Sequence, residues 1–190
     1  MIREHRLSSA QWIGSPNCSE RPPGQEIDLL VIHSISLPPG CYGGTYIDDL
    51  FCNRLDPQGH PYFADIAHLQ VSAHLLICRD GSIRQYVPFD RKAWHAGAST
   101  FCGRSNCNDF SIGIELEGCD DEGFTDVQYE RLAELTADLQ RAYPKITADR
   151  ITGHSDIAPG RKTDPGPYFD WARYRELLRN AALTRPGETS

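Results

Sequence analysis

The sequence predicts an α/β (α+β) protein, a mixed central β-sheet flanked by helices. Three observations carry this. Short apolar runs bounded by turn residues recur at 27–33, 71–78, 83–88 and 110–117. Stripes with helical spacing alternate with them at 44–55, 125–142 and 170–178. No internal repeat or linker separates these segments, so one domain is expected across 1–190, with its core at about 12–178 and a frayed tail over the last ten residues.

Residues 14–26 are rich in Pro, Ser and Gly and read as a loop. Ile27-Asp28-Leu29-Leu30-Val31-Ile32-His33 reads as a buried strand ending at His33, ahead of the breaker Pro38-Pro39-Gly40. Tyr46, Ile47, Leu50, Phe51 and Leu55 mark a helix over 44–55, which Asp56-Pro57-Gln58-Gly59 terminates before a long loop over 56–70. Segments 71–78 and 83–88 read as strands, and Asp80-Gly81 between them signals a hairpin. In 110–117, Phe110, Ile112, Ile114 and Leu116 share one face. Ser111, Gly113, Glu115 and Glu117 share the other, with Glu117 expected to face solvent. Thr125-x-x-Gln128 has the form of a capping box, and Leu132, Leu135, Leu139 and Ala142 form the stripe of a helix that Pro144 stops. Residues 151–154 are strand-like. Asp170 is placed to cap a last helix carrying Trp171, Tyr174, Leu177 and Leu178.

Composition narrows the function classes. The 190 residues carry 19 Lys and Arg against 26 Asp and Glu, a formal net charge of −7, which argues against a nucleic-acid partner. The longest apolar runs are four residues, such as Leu29-Leu30-Val31-Ile32. A membrane span needs about 20, so no membrane partner is expected. No apolar stretch follows Arg3 and Arg6, so no secretory signal and a cytoplasmic location are expected. Seven cysteines, an odd number without a Cys-x-x-Cys, fit free thiols in a reducing compartment.

The chain has no Gly-x-Ser-x-Gly elbow, Walker loop, dinucleotide fingerprint or His-Glu-x-x-His. Any metal site must therefore be assembled from distant segments. His33 and His154 each close a strand-like run. If 162–164 is extended, Lys162 and Asp164 point the same way. Two histidines and a carboxylate with an open fourth position compose a catalytic zinc site; ordinary surface or core histidines are the alternative, and spacing leaves both open. Glu115 is the candidate base, since Gly113 on its face leaves room above the sheet; a solvent-facing glutamate is the alternative. Trp94 and His95 sit in a loop where they line a groove or serve structure. Tyr62 follows His60-Pro61 in the long loop. His74, inside a strand, reads as a hydrogen-bonded core residue.

Six stretches, in order, resemble one family. They are Leu30-Val31-Ile32-His33-Ser34, His60-Pro61-Tyr62-Phe63, Val71-Ser72-Ala73-His74, Ala93-Trp94-His95-Ala96-Gly97, Asn108 through Gly118, and Gly153-His154 through Gly166. Together they resemble the zinc N-acetylmuramoyl-L-alanine amidases, and within them the cytoplasmic enzymes of peptidoglycan recycling. The resemblance implies the fold of T7-type amidase lysozymes and peptidoglycan-recognition proteins. It implies one Zn2+ held by His33, His154 and Asp164, catalytic roles for Glu115 and Lys162, and a place at the site edge for Tyr62; Trp94 and His95 join Tyr62 as candidate substrate contacts. The implied reaction is hydrolysis of the amide joining the lactyl group of 1,6-anhydro-N-acetylmuramic acid to L-alanine, in a monomer acting on a small anhydromuropeptide. A broader amidase on intact muropeptides, a non-catalytic peptidoglycan-binding module and a thiol-dependent hydrolase are the alternatives. Ser34, Ser155 and Gly160 depart from residues frequent in the family, at positions that are neither ligands nor catalytic.

Overall fold

The two longest strands among the described residues lie side by side. In a computed structural model describing residues 1–184, Leu29–Ile35 and Ser111–Glu117 are parallel seven-residue strands. Every residue of the second is buried, as expected for a parallel strand covered on both faces. The sheet comprises β1 (Gln11–Trp12), β2 (Leu29–Ile35), β3 (Leu75–Ile77), β4 (Ile83–Gln85), β5 (Ser111–Glu117) and β6 (Ile151–Gly153). Their order is β6-β2-β5-β3-β4-β1. The first four run parallel, and β3 and β4 form the antiparallel hairpin that Asp80-Gly81 signals. The helices are α1 (Tyr46–Phe51), α2 (Pro61–Ala64), α3 (Asp126–Ala142), α4 (His154–Ile157) and α5 (Trp171–Thr184). The expected mixed sheet with flanking helices is the fold.

Alternation along the strands divides the core. Leu30 and Ile32 of β2, Ile112, Ile114 and Leu116 of β5, and Leu75 and Ile77 of β3 pack against Leu132, Leu135 and Leu139 of α3 and Tyr174 and Leu178 of α5. Burying each such aliphatic side chain contributes about 1.5–3 kcal/mol, enough to fix the register of the sheet. The opposite face carries two smaller clusters. Leu76 packs with Ile47, Leu50 and Phe51 of α1 and Phe63 of α2. Leu29 and Val31 pack with Ala96, Cys107, Phe110 and Ile157. His33 and Glu115 emerge on this face.

Several expectations are met at atomic detail. Thr125 Oγ1 accepts the Gln128 N–H at 3.3 Å, and Gln128 Oε1 accepts the Thr125 N–H at 3.0 Å. Asp170 Oδ1 accepts the Arg173 N–H at 2.9 Å and caps α5. All seven cysteines are free.

Others are corrected. β2 continues past His33 to Ile35, because Glu117 and Gly118 go on supplying ladder partners. α1 stops at Phe51, followed by Asn53 at φ 57°. Only Leu75–Ile77 of 71–78 is strand; Ser72 bonds to the Trp94 carbonyl instead, so His74 lies just before β3. The loop 14–26 hides a strand, Cys18–Glu20, paired with Arg91–Ala93. Phe110 joins the Leu29 cluster and not the Ile112 face, and Ala142, the last residue of α3, is exposed. His154 does not close a strand but begins α4. Glu117 is buried, its carboxylate accepting the Gly43 N–H at 2.6 Å and the Arg79 N–H at 3.0 Å. Of the tail expected to fray, 181–184 continue α5 and 185–190 lie outside the described residues.

Candidate active site

The site is built at the ends of three adjacent parallel strands. β2 supplies His33, and β5 supplies Glu115 directly opposite it in the ladder. Beyond the end of β6 the chain turns sharply into α4, whose first residue is His154. Asp156 Oδ2 fixes that turn by accepting the Gly153 N–H at 3.0 Å and the Thr152 hydroxyl at 2.9 Å. Asp164 is brought alongside by its carbonyl, which accepts the Ser155 N–H at 2.9 Å. The approach requires glycine at 153, where a Cβ would stand 2.8 Å from Pro165 Cδ.

Three ligand-type atoms converge here. His33 Nδ1 lies 3.0 Å from His154 Nδ1 and 2.9 Å from Asp164 Oδ2, and His154 Nδ1 lies 3.0 Å from the same oxygen. The outer ring nitrogens decide which protons are present. His154 Nε2 faces the Ala96 carbonyl at 3.0 Å, an acceptor for its proton; Arg161 Nη2 donates to the same carbonyl at 2.6 Å and stands 3.4 Å from the ring nitrogen. His33 Nε2 faces His95 Nδ1 at 2.9 Å, and His95 Nε2 faces Ser111 Oγ at 3.1 Å. With both rings donating outward, both Nδ1 atoms carry lone pairs that point with the carboxylate at one centre, the arrangement a cation between them stabilises; with Nδ1 protonated, a ring donates to Asp164 Oδ2 instead. Four-coordinate zinc sets neighbouring ligand atoms about 3.3 Å apart, given bonds of about 2.0–2.2 Å. The donor set therefore fits a metal ion, around which the present separations of 2.9–3.0 Å would open slightly.

Burial holds the pKa of His33 down to about 4, against the opposing pull of Asp164, and so favours the neutral, ligating form. Glu115 is buried, and its Oε2 has no hydrogen-bond partner among the described residues. Burial and then the Asp164 charge raise its pKa well above the ordinary carboxylate range, while Lys162 works the other way.

His33, Glu115, His154 and Asp164 open into a cleft of about 580 Å³, with Lys162 exposed on its lining. Trp94 lines it too, its indole N–H bonded to Ser19 Oγ at 3.2 Å, and so does Tyr62 of α2, which is 40% exposed. His95 reaches the same cleft, but both its ring nitrogens are engaged, with His33 and Ser111. All eight residues singled out from the sequence thus meet at one cleft. Sequence reasoning did not find the groups that orient the histidines: the Ala96 carbonyl, and Asn108, whose Oδ1 accepts the His95 and Ala96 N–H groups. A backbone acceptor leaves no trace in residue type. His74 is fully buried away from the cleft, accepting the Gly113 N–H at Nδ1 and facing the Arg91 carbonyl through Nε2.

Residues 23–167, most of the chain, match the sequence profile of N-acetylmuramoyl-L-alanine amidases. The chain belongs to this family. The amidase is 58% identical over 178 residues to the 1,6-anhydro-N-acetylmuramyl-L-alanine amidase AmpD of Escherichia coli K12, covering 94% of this chain and 97% of that one. A crystal structure of a Se-Met AmpD derivative superposes with a TM-score of 0.92 at 58% identity, covering 94% of this chain and 99% of that one. The amidase AmiD from E. coli, solved with the substrate anhydro-N-acetylmuramic acid-L-Ala-D-gamma-Glu-L-Lys, is similar at a TM-score of 0.59 and 31% identity, over 83% of this chain and 60% of that one. This amidase has no helix among its described residues long and apolar enough to cross a membrane.

Proposed function

We propose that the chain hydrolyses the amide between the lactyl group of 1,6-anhydro-N-acetylmuramic acid and L-alanine, as a cytoplasmic, single-domain monomer of peptidoglycan recycling. The observation that carries the reading is the convergence of His33 Nδ1, His154 Nδ1 and Asp164 Oδ2 within 3.0 Å beside the unpartnered Glu115 Oε2 in an open cleft. The similarity to AmpD over nearly the whole chain supports the choice of substrate.

His33, His154 and Asp164 would hold one zinc ion. When bound, zinc lowers the pKa of water toward about 7 and polarises a carbonyl. Glu115 takes the proton of the attacking water at its free carboxylate oxygen and passes it to the leaving amine of alanine. Lys162, as an ammonium, donates to the carbonyl oxygen as negative charge develops there. Tyr62 and Trp94 border the cleft and flank the substrate.

Mass spectrometry of the products from an anhydromuramyl tripeptide, with and without a chelator, tests this. Release of free tripeptide that the chelator abolishes is the expected result. No cleavage by zinc-loaded protein would overturn it in favour of a binding module. Equal cleavage of a muropeptide bearing an intact sugar would instead establish the broader amidase.

A further inference from the structure

The two groups that face the outer ring nitrogens of His33 and His154 are consecutive in the chain. His95 Nδ1 stands 2.9 Å from His33 Nε2, and the Ala96 carbonyl stands 3.0 Å from His154 Nε2. The segment that carries both is fixed on three sides. Asn108 Oδ1 accepts its two backbone N–H groups, His95 at 3.1 Å and Ala96 at 2.8 Å. Ser111 Oγ lies 3.1 Å from His95 Nε2 and is able to accept its proton, the arrangement that leaves Nδ1 of that ring as the acceptor for His33. Gly113 of β5 lies beneath the ring. A Cβ there would come within 2.5 Å of His95 Cγ and Nδ1, so glycine is what allows the imidazole to rest on the strand. Since Gly113 and Ser111 lie on the same face of β5 as Glu115, one strand seats both the candidate base and this ring.

We infer that His95-Ala96, clamped by Asn108 and seated on Gly113, is the positioning element of the site. It holds the rings of His33 and His154 so that both Nδ1 atoms face Asp164, and it favours the Nε2–H tautomer that ligation of a metal there requires. His95 and Asn108 are thereby positioning residues that act through the histidines. The inference rests on the metal reading above and assigns the ring of His95 to His33 instead of to substrate. Its two arms differ in reach. The His95 side chain acts on His33 alone, whereas Asn108 holds the backbone of both acceptors and acts on both histidines.

Two readouts independent of turnover test this. Long-range ¹H–¹⁵N correlation spectra of the metal-free protein report imidazole tautomers. Competition against a chromophoric chelator reports zinc affinity. His33 and His154 of the unaltered protein should both be Nε2–H. His95→Leu should weaken zinc binding about 10–100-fold, the usual consequence of losing a partner of a ligating histidine. His95→Asn, whose Oδ1 can stand where Nδ1 stood, should recover most of that loss. Gly113→Ala should reproduce His95→Leu although it removes no polar group. Asn108→Ala should disturb both histidines, and Asn108→Asp, which keeps the acceptor oxygen, should not. Unchanged zinc affinity and unchanged tautomers in His95→Leu and Gly113→Ala would overturn the inference. Should His95→Leu fail to fold, Gly113→Ala and the paired Asn108 variants make the same comparison. An unaltered protein that binds no zinc would overturn the metal reading, while the tautomers of the metal-free variants would still decide the positioning role.

Discussion

Glu115 stands directly opposite His33 in the parallel register of β2 and β5. Side chains alternate across a strand, so this register sends both to the same face, about 4.8 Å apart along the hydrogen-bonding direction. Leu30, Ile32, Ile112 and Ile114 point the other way, into the layer of α3 and α5. A slip of one residue would turn apolar groups into the cleft and the ionisable pair into the helices. The register that buries the core is therefore the one that assembles the candidate site.

Glu115→Gln keeps the shape of the side chain and removes its proton acceptor. Turnover should fall about 10²–10⁴-fold, the usual range for loss of a general base, with zinc content unchanged by elemental analysis. Wild-type turnover in this variant would remove Glu115 from the reaction.

Asp164→Asn separates metal binding from folding. One of three converging acceptors is replaced by an amide that can donate to a histidine Nδ1. Zinc should no longer bind stoichiometrically, yet the metal-free variant should melt no lower than the metal-free parent, because the mutual repulsion of the acceptors is relieved. Calorimetry of both metal-free proteins decides it; a clearly lower Tm in the variant contradicts the tautomer assignment. Adding zinc should raise the Tm of the parent alone.

Much of this was legible in the sequence, and the misses share a cause. Period-two alternation located β5, and capping chemistry located the starts of α3 and α5, because both are local signals. The burial of Glu117 was not legible, since alternation tells which residues share a face but not that loops from elsewhere cover it. The strand Cys18–Glu20 was hidden because three residues carry no period. His154 appeared to close a strand because the turn into α4 depends on the Asp156 side chain and the Gly153–Pro165 approach. The resemblance to the family drew the ligand set together; spacing alone left it open.

Glu117 ties the loop at Gly43 and the hairpin at Arg79 to the end of β5. Each bond to the carboxylate is charge-assisted, the stronger class of hydrogen bond. Glu117→Ala should cost about 2–4 kcal/mol, from bonds worth about 1.5–3 kcal/mol each that water partly replaces. Denaturant melts with an unchanged m-value would show it. A loss under about 0.5 kcal/mol, the range of ordinary surface substitutions, would mean that the loops hold without it.

His74 gives the fold a predictable sensitivity to acid. Burial, and then the neighbouring Arg21 guanidinium, push its pKa down to about 3, while the hydrogen bond to the Arg91 carbonyl works the other way. The ring also faces Phe89 and the edge of His95. An unfolded histidine titrates near about 6.5, so the unfolded chain binds the proton more readily. The contribution of neutral His74 is fully present above that value and is lost as pH falls toward about 3, at up to about 1.4 kcal/mol per pH unit. Unfolding free energy should therefore decline through this window, and the decline should be shallower in His74→Asn, which starts less stable but has no proton to gain. An NMR titration is the direct check: the His74 imidazole shifts should stay flat from about pH 8 to about pH 5. A midpoint near the ordinary value would show that burial beside Arg21 does not keep this ring neutral.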